Sequence, residues 1–193
     1  MGYGVNVNKD VLTELLDFVE NRHFGKYRGT VVDNDDPRGR GRIEVQVPAV
    51  LGDLSLWAMP CVPFAGDQVG FFSLPNPGDG VWVEFEGGDP SMPIWTGCFW
   101  ADGERPQTTG PDERLWTTGD ITLRLEEGET PEVSIEIADG AVLRMVGSEI
   151  ETDAGGSRLR MEGSEIVIDA NSGGKVEVGG GTTSLNDGAM EVT

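Results

Sequence analysis

Two stretches of the chain say nearly the same thing. Leu143–Ala154 reads LRMVGSEIETDA and Leu159–Ala170 reads LRMEGSEIVIDA, with nine of twelve residues shared at an interval of sixteen. Turn-forming residues recur around them at every eighth position: Pro131, Asp139, Gly147, Gly155, Gly163, Asn171, Gly179 and Asp187. Gly, Asn, Asp and Pro tolerate or preset the dihedrals of tight turns. The echo is therefore two units of an eight-residue repeat. Between the turns, apolar residues alternate with Glu, Arg, Ser and Asp: Ile121, Leu123 and Leu125; Val133, Ile135 and Ile137; Leu143 and Met145; Leu159 and Met161; Ile166 and Ile168; Val176 and Val178. Each short strand thus has one apolar face and one wet face.

Strands this short cannot wrap a core within one chain. A lone meander would leave its apolar face and both backbone edges in water. A single-chain solenoid needs about 20 or more residues per coil, and disorder does not fit so regular an alternation. The expectation is a homotrimer: three chains around a common axis, with interleaved strands and apolar faces turned inward. The predicted axis residues are Ile135, Ile137, Leu143, Met145, Ile150, Leu159, Met161, Ile166, Ile168, Val176 and Val178.

Upstream the pattern differs. Residues 8–22, NKDVLTELLDFVENR, read as a short amphipathic helix capped by Asn8, with Asp10 in its first turn. Val11, Leu15, Phe18 and Val19 share its apolar face, and Gly25 follows as a stop. So short a helix needs a partner: its own barrel, a sister chain or another protein. From Tyr27 to Phe99, five or six short strands separated by Pro and Gly clusters, with no helix among them, predict a small closed barrel. Trp57, Phe64, Phe71, Phe72, Trp82, Phe85 and Trp95 are its expected core. The domain reading is all-β: helical segment 1–26, barrel 27–100, a polar turn-rich linker 101–119, and repeats 120–193.

Composition narrows the function. Net charge is −20, from 34 acidic and 14 basic side chains. Such a surface repels phosphate backbones, which disfavours nucleic-acid binding. Neither a signal-peptide pattern nor an apolar run of about 18 residues is present, and synthesis in a cytoplasm is the expectation. Cys61 and Cys98 sit in apolar stretches, are expected as buried free thiols with a cross-strand disulfide as the alternative, and are too few for a zinc site.

A small barrel followed by an octad-repeat needle resembles the central spike of contractile phage tails and injection machines, including the spike core of VgrG proteins. The carrying phrases are RGTVVDNDDPRGRGRIEVQVP, WAMPCVPFAG and GFFSLPNPGDGVWVEFEGGDPSMPIWTGCFW. The resemblance implies an oligosaccharide/oligonucleotide-binding (OB) barrel, a role in puncturing the target envelope, and assembly into a phage tail or injection particle. It implies that the helix residues Val11, Leu15, Phe18 and Val19 face a baseplate hub. It also implies a PAAR-type tip protein at the carboxyl end, met by Met190 and Val192. Only about 26 residues precede the barrel, so the hub is expected in another polypeptide, and residues 101–119 are too few for the lysozyme domain that some phage spikes insert. The repeats lack the His-x-His pair with which certain short spikes hold iron.

No catalytic motif stands out, and no enzyme activity, cofactor or metal is expected. His23, the sole histidine, suits a helix C-terminus. DNDDPRG, residues 33–39, lacks the glycine and distal Glu of a calcium loop and reads as a β-turn. Carboxylates of the repeats are expected to be solvated and unperturbed. The competing functional class is a trimeric receptor- or glycan-binding fibre, or an OB binding module using Arg38, Arg40 and Arg42.

Overall fold

A computed structural model describes residues 9–192. The chain divides into two compact units, residues 1–105 and 106–193. Helix α1 spans Lys9–Glu20. Asn8, read as its cap, lies outside the described residues, as does the side chain of Asp10.

The first unit holds strands β1 (Tyr27–Asp33), β2 (Ile43–Gln46), β3 (Ser55–Pro60), β4 (Ala65–Gly66), β5 (Val69–Gly70), β6 (Gly80–Phe85) and β7 (Pro93–Phe99). Five of them close a barrel in the order β1-β2-β3-β7-β6. β3 and β7 run parallel, and the other neighbours are antiparallel. Alternation decides what points inward. Ile43 and Val45 of β2, and Val81, Val83 and Phe85 of β6, are buried, while Glu44, Trp82 and Glu84 between them are not. Gly29 lies inside β1, where a Cβ would come within 3.1 Å of the Gln46 carbonyl oxygen and of Val83 Cγ2.

Three expectations for this unit need correction. A four-residue helix, α2 (Pro48–Leu51), interrupts the strands, because Pro48 presets the helical φ at its start. The core is mainly aliphatic: Val31, Ile43, Val45, Val47, Ala58, Val81 and Val83 join only Phe85 and Trp95 of the seven aromatics expected there. Trp57 and Trp82 are half-buried, with Arg42 and Arg28 lying over them. Phe64, Phe71 and Phe72 are exposed on or beside the small β4–β5 hairpin. Finally, Cys61 and Cys98 are free but exposed. Cys61 follows the end of β3, and Cys98 sits at an outward position of β7.

The second unit is a ten-stranded antiparallel meander in sequence order. Its strands are β8 (Glu113–Thr117), β9 (Ile121–Glu126), β10 (Glu132–Ile137), β11 (Val142–Val146), β12 (Glu149–Ala154), β13 (Ser157–Glu162), β14 (Glu165–Ala170), β15 (Gly174–Gly179), β16 (Thr182–Leu185) and β17 (Met190–Val192). β8 falls in the stretch read as linker, where turn formers at 101–112 mask the alternation that follows. The repeat now has a geometric meaning: six residues of strand and two of turn. β11–β12 and β13–β14 are the same hairpin built twice, both turning on Gly-Ser, with Gly147 at φ +56° and Gly163 at φ +57°. The step slips once, where a three-residue turn at 171–173 puts Gly179 into β15 and moves the next turn to Gly180–Gly181.

Within the chain, the strands pair in sequence order. Each strand from β9 to β16 bonds its sequence neighbours on both sides. Connections of two to five residues favour pairing with the sequence neighbour. Ten strands at about 4.8 Å spacing span roughly 4 nm across the sheet.

Candidate functional site

The pairing register sorts the side chains of the second unit onto two faces. Leu123 pairs with Ile135, Ile135 with Leu143, Leu143 with Thr152, Thr152 with Leu159, Leu159 with Ile168, Ile168 with Val176, and Val176 with Leu185. A second row runs beside it through Leu125, Val133, Met145, Ile150, Met161, Ile166, Val178 and Thr183. Cross-strand partners share a face, so both rows form one apolar surface, widened by Ile121 and Ile137 at one end. All eleven residues expected at an axis lie on it. Met190 and Val192 of β17 extend it. Sequence reasoning missed Trp116, Leu185 and Thr152, which occupy the same rows; the alternation in RLWT and TTSL was the available signal.

Among the described residues of the second unit, nothing covers this surface. Ile168 is 50% exposed, Ile166 40% and Met145 38%. Monomeric proteins rarely expose contiguous apolar patches beyond a few hundred Å². Covering the eleven residues would remove the remaining exposure of each, roughly 1 kcal/mol apiece and on the order of 10 kcal/mol per chain.

The opposite face is polar and laced with ion pairs. Arg144 forks onto Glu132 through two hydrogen bonds of 2.8 Å. Arg158 Nε donates to Asp153 at 2.7 Å, and Arg160 bridges Glu162 and Glu165. Lys175 reaches Glu177 and Asp187. Arg124 pairs with Glu113, which is buried, and Ser134 is buried between Arg124 and Arg144 in the register. The carboxylates are therefore not all unperturbed. The Arg144 guanidinium holds Glu132 below its usual range, and Arg158 does the same to Asp153, helped by the Gly156 N–H. Many charges on this face pair with one another, whereas the apolar face is left exposed among the described residues of this unit.

In the first unit, the apolar side chains of α1 are exposed too. Val11, Leu15, Phe18 and Val19 lie between 46% and 64% exposed, and so do Leu12 and Leu16, which sequence reasoning left out. These six residues fill about half the helix circumference at 100° per residue. After α1 the chain is tied down: His23 N–H donates to the Gly88 carbonyl at 2.8 Å and Arg22 Nη1 to the Gly87 carbonyl at 3.1 Å. The His23 ring packs near Tyr27 and Phe85.

The 33–42 loop is organised by one carboxylate. Asp36 accepts backbone N–H bonds from Arg38 at 3.0 Å and Arg40 at 2.8 Å, and the Arg42 side chain closes on it. The Arg42 guanidinium, then the backbone N–H groups, hold the Asp36 carboxyl far below the ordinary range. With its oxygens so engaged, Asp36 is a loop brace. No helix among the described residues is long and apolar enough to cross a membrane.

Residues 27–100, the barrel, match the family of type VI secretion system/phage-baseplate injector OB domains. The actin cross-linking toxin VgrG1 of Vibrio cholerae serotype O1 (strain ATCC 39541 / Classical Ogawa 395 / O395) is 38% identical over 75 residues. That segment is 39% of this chain and 7% of the toxin. The family match thus lies in the barrel, and the chain spans only a small part of the toxin's length.

Proposed function

We propose that this chain is the structural spike of a contractile tail or injection apparatus, working as a homotrimer. The observation that carries the reading is a junction in one polypeptide: an injector-type OB barrel followed by a ten-stranded sheet whose apolar face is bare. Three such sheets set face to face around a threefold axis form a prism with a dry interior and a charged exterior. The strand pairing supports three separate meanders, each one wall of the prism. Leu143, Met145, Leu159, Met161, Ile166 and Ile168 would line the axis.

The work is mechanical. Continuous backbone ladders along each wall and a close-packed interior resist bending, which suits a needle driven through an envelope. The barrel seats on a baseplate hub, Met190 and Val192 meet a PAAR-type tip protein, and the particle carries the spike to the target cell.

Light scattering of the purified chain tests this directly. The expected mass is about 62 kDa, three times 20.7 kDa. A mass of two chains would replace the prism by a two-sheet sandwich, and a stable lone chain with its sheet folded would end the reading.

A further inference from the structure

We propose a second contact between copies: α1 of one chain docks into the aromatic cleft beside the β4–β5 hairpin of the next. It builds on the homotrimer above but uses surfaces separate from the sheet. The cleft has a volume of about 400 Å³ and is lined by Pro60, Val62, Val69, Phe71, Phe72 and Leu74, with Trp95 also lining it. Phe72 is 77% exposed. An aromatic so bare, beside other exposed apolar side chains on a short hairpin, forms a surface ready to be covered.

Charge selects the occupant. Arg40 lines the cleft, with Arg38 two residues away on the same loop. Neither guanidinium has a carboxylate partner among the described residues, whereas Arg42 of that loop is spent on Asp36. α1 offers the complement. Its apolar half, Val11, Leu12, Leu15, Leu16, Phe18 and Val19, is flanked by Glu14, Asp17 and Glu20, none ion-paired among the described residues. An acidic amphipathic helix fits an apolar cleft with a basic rim. It does not fit a second α1, which would set carboxylate beside carboxylate. The one acid at the hairpin tip, Asp67, requires the acidic flank of α1 to lie on the Arg40 side. A contact between two different surfaces of identical chains closes into a ring when the rotation allows. Three such contacts would tie the barrels together as the sheets tie the needle.

Disulfide trapping between differently marked chains is the test. In full-length protein carrying Cys61→Ser and Cys98→Ser, one chain carries Leu15→Cys and the other Phe72→Cys. Co-expressed and mildly oxidised, the pair should give a covalent two-chain band that neither chain gives alone. Arg40→Glu should cut the yield severalfold, and adding Glu14→Lys with Asp17→Lys to the helix-bearing chain should restore it. Cross-linking of the Leu15→Cys chain with itself, or only within one chain carrying both cysteines, would overturn the contact. So would absent cross-linking in a particle that keeps the three-chain mass; the spike reading would then stand and this contact would fall. Loss of that mass in the cysteine-free parent would instead count against the spike reading itself.

Discussion

The barrel and the meander are built from strands of similar length and the same period-two alternation, yet they solve opposite problems. The barrel curls until β6 meets β1, so Ile43, Val45, Val81 and Val83 are sealed by their own chain. The meander never closes. Short turns lay its strands side by side in sequence order, and the two long apolar rows land on one exposed side. Closure, and not hydrophobic content, separates the unit that seals its own core from the one that leaves its apolar face exposed.

Substitutions in the two units should therefore fail differently. The largest effect is expected from Ile166→Asp. Three carboxylates would meet at a dry axis, each costing about 3–5 kcal/mol or more if left unpaired. Light scattering should show loss of the three-chain mass, while near-ultraviolet dichroism of the barrel aromatics persists. A variant with unchanged mass and heat resistance would remove Ile166 from the axis.

Ile43→Ala should do the reverse. A cavity in the sealed core costs about 2–5 kcal/mol, read as earlier denaturant unfolding of the barrel at unchanged oligomeric mass. A change in mass here would mean that the two units are not independent.

Gly163→Ala sharpens the comparison at the turns. Its φ of +57° costs a side-chain-bearing residue about 1–2 kcal/mol. The melting temperature of the ten-stranded sheet should fall modestly, and by a similar amount for Gly147→Ala, since the two hairpins are copies. Unequal losses would show that the copies sit in different surroundings.

The smallest effect concerns the outer face. Glu132 is held below its ordinary pKa by Arg144, so its contribution is present above the unfolded carboxyl range and is lost as pH falls through the folded value. Acid titration below about pH 4.5 should lower the needle's melting temperature slightly, and Arg144→Ala should flatten that dependence. A surface pair of this kind contributes little beside the axis.

Much of the meander was legible in the sequence. Turn residues every eighth position, and apolar residues between them, are local signals that no distant part of the chain can alter. The barrel was legible as strands but not as a core. Phe64, Phe71 and Phe72 read as core because aromatic residues are usually buried, yet the chain between β3 and β6 leaves the barrel and carries them out. Cys61 and Cys98 failed as buried thiols for a related reason: apolar neighbours in sequence reveal neither that the strand ends before Cys61 nor which side of β7 Cys98 takes. The outer carboxylates read as solvated because their arginine partners come from other strands or across a turn.

The sequence by itself determined the repeat and the two faces, because alternation and turn chemistry act over a few residues. Only the tertiary structure decided which strand pairs with which. It also decided that an aliphatic set, with Phe85 and Trp95, fills the barrel. Those outcomes depend on how segments far apart in the chain meet, and no local pattern encodes that.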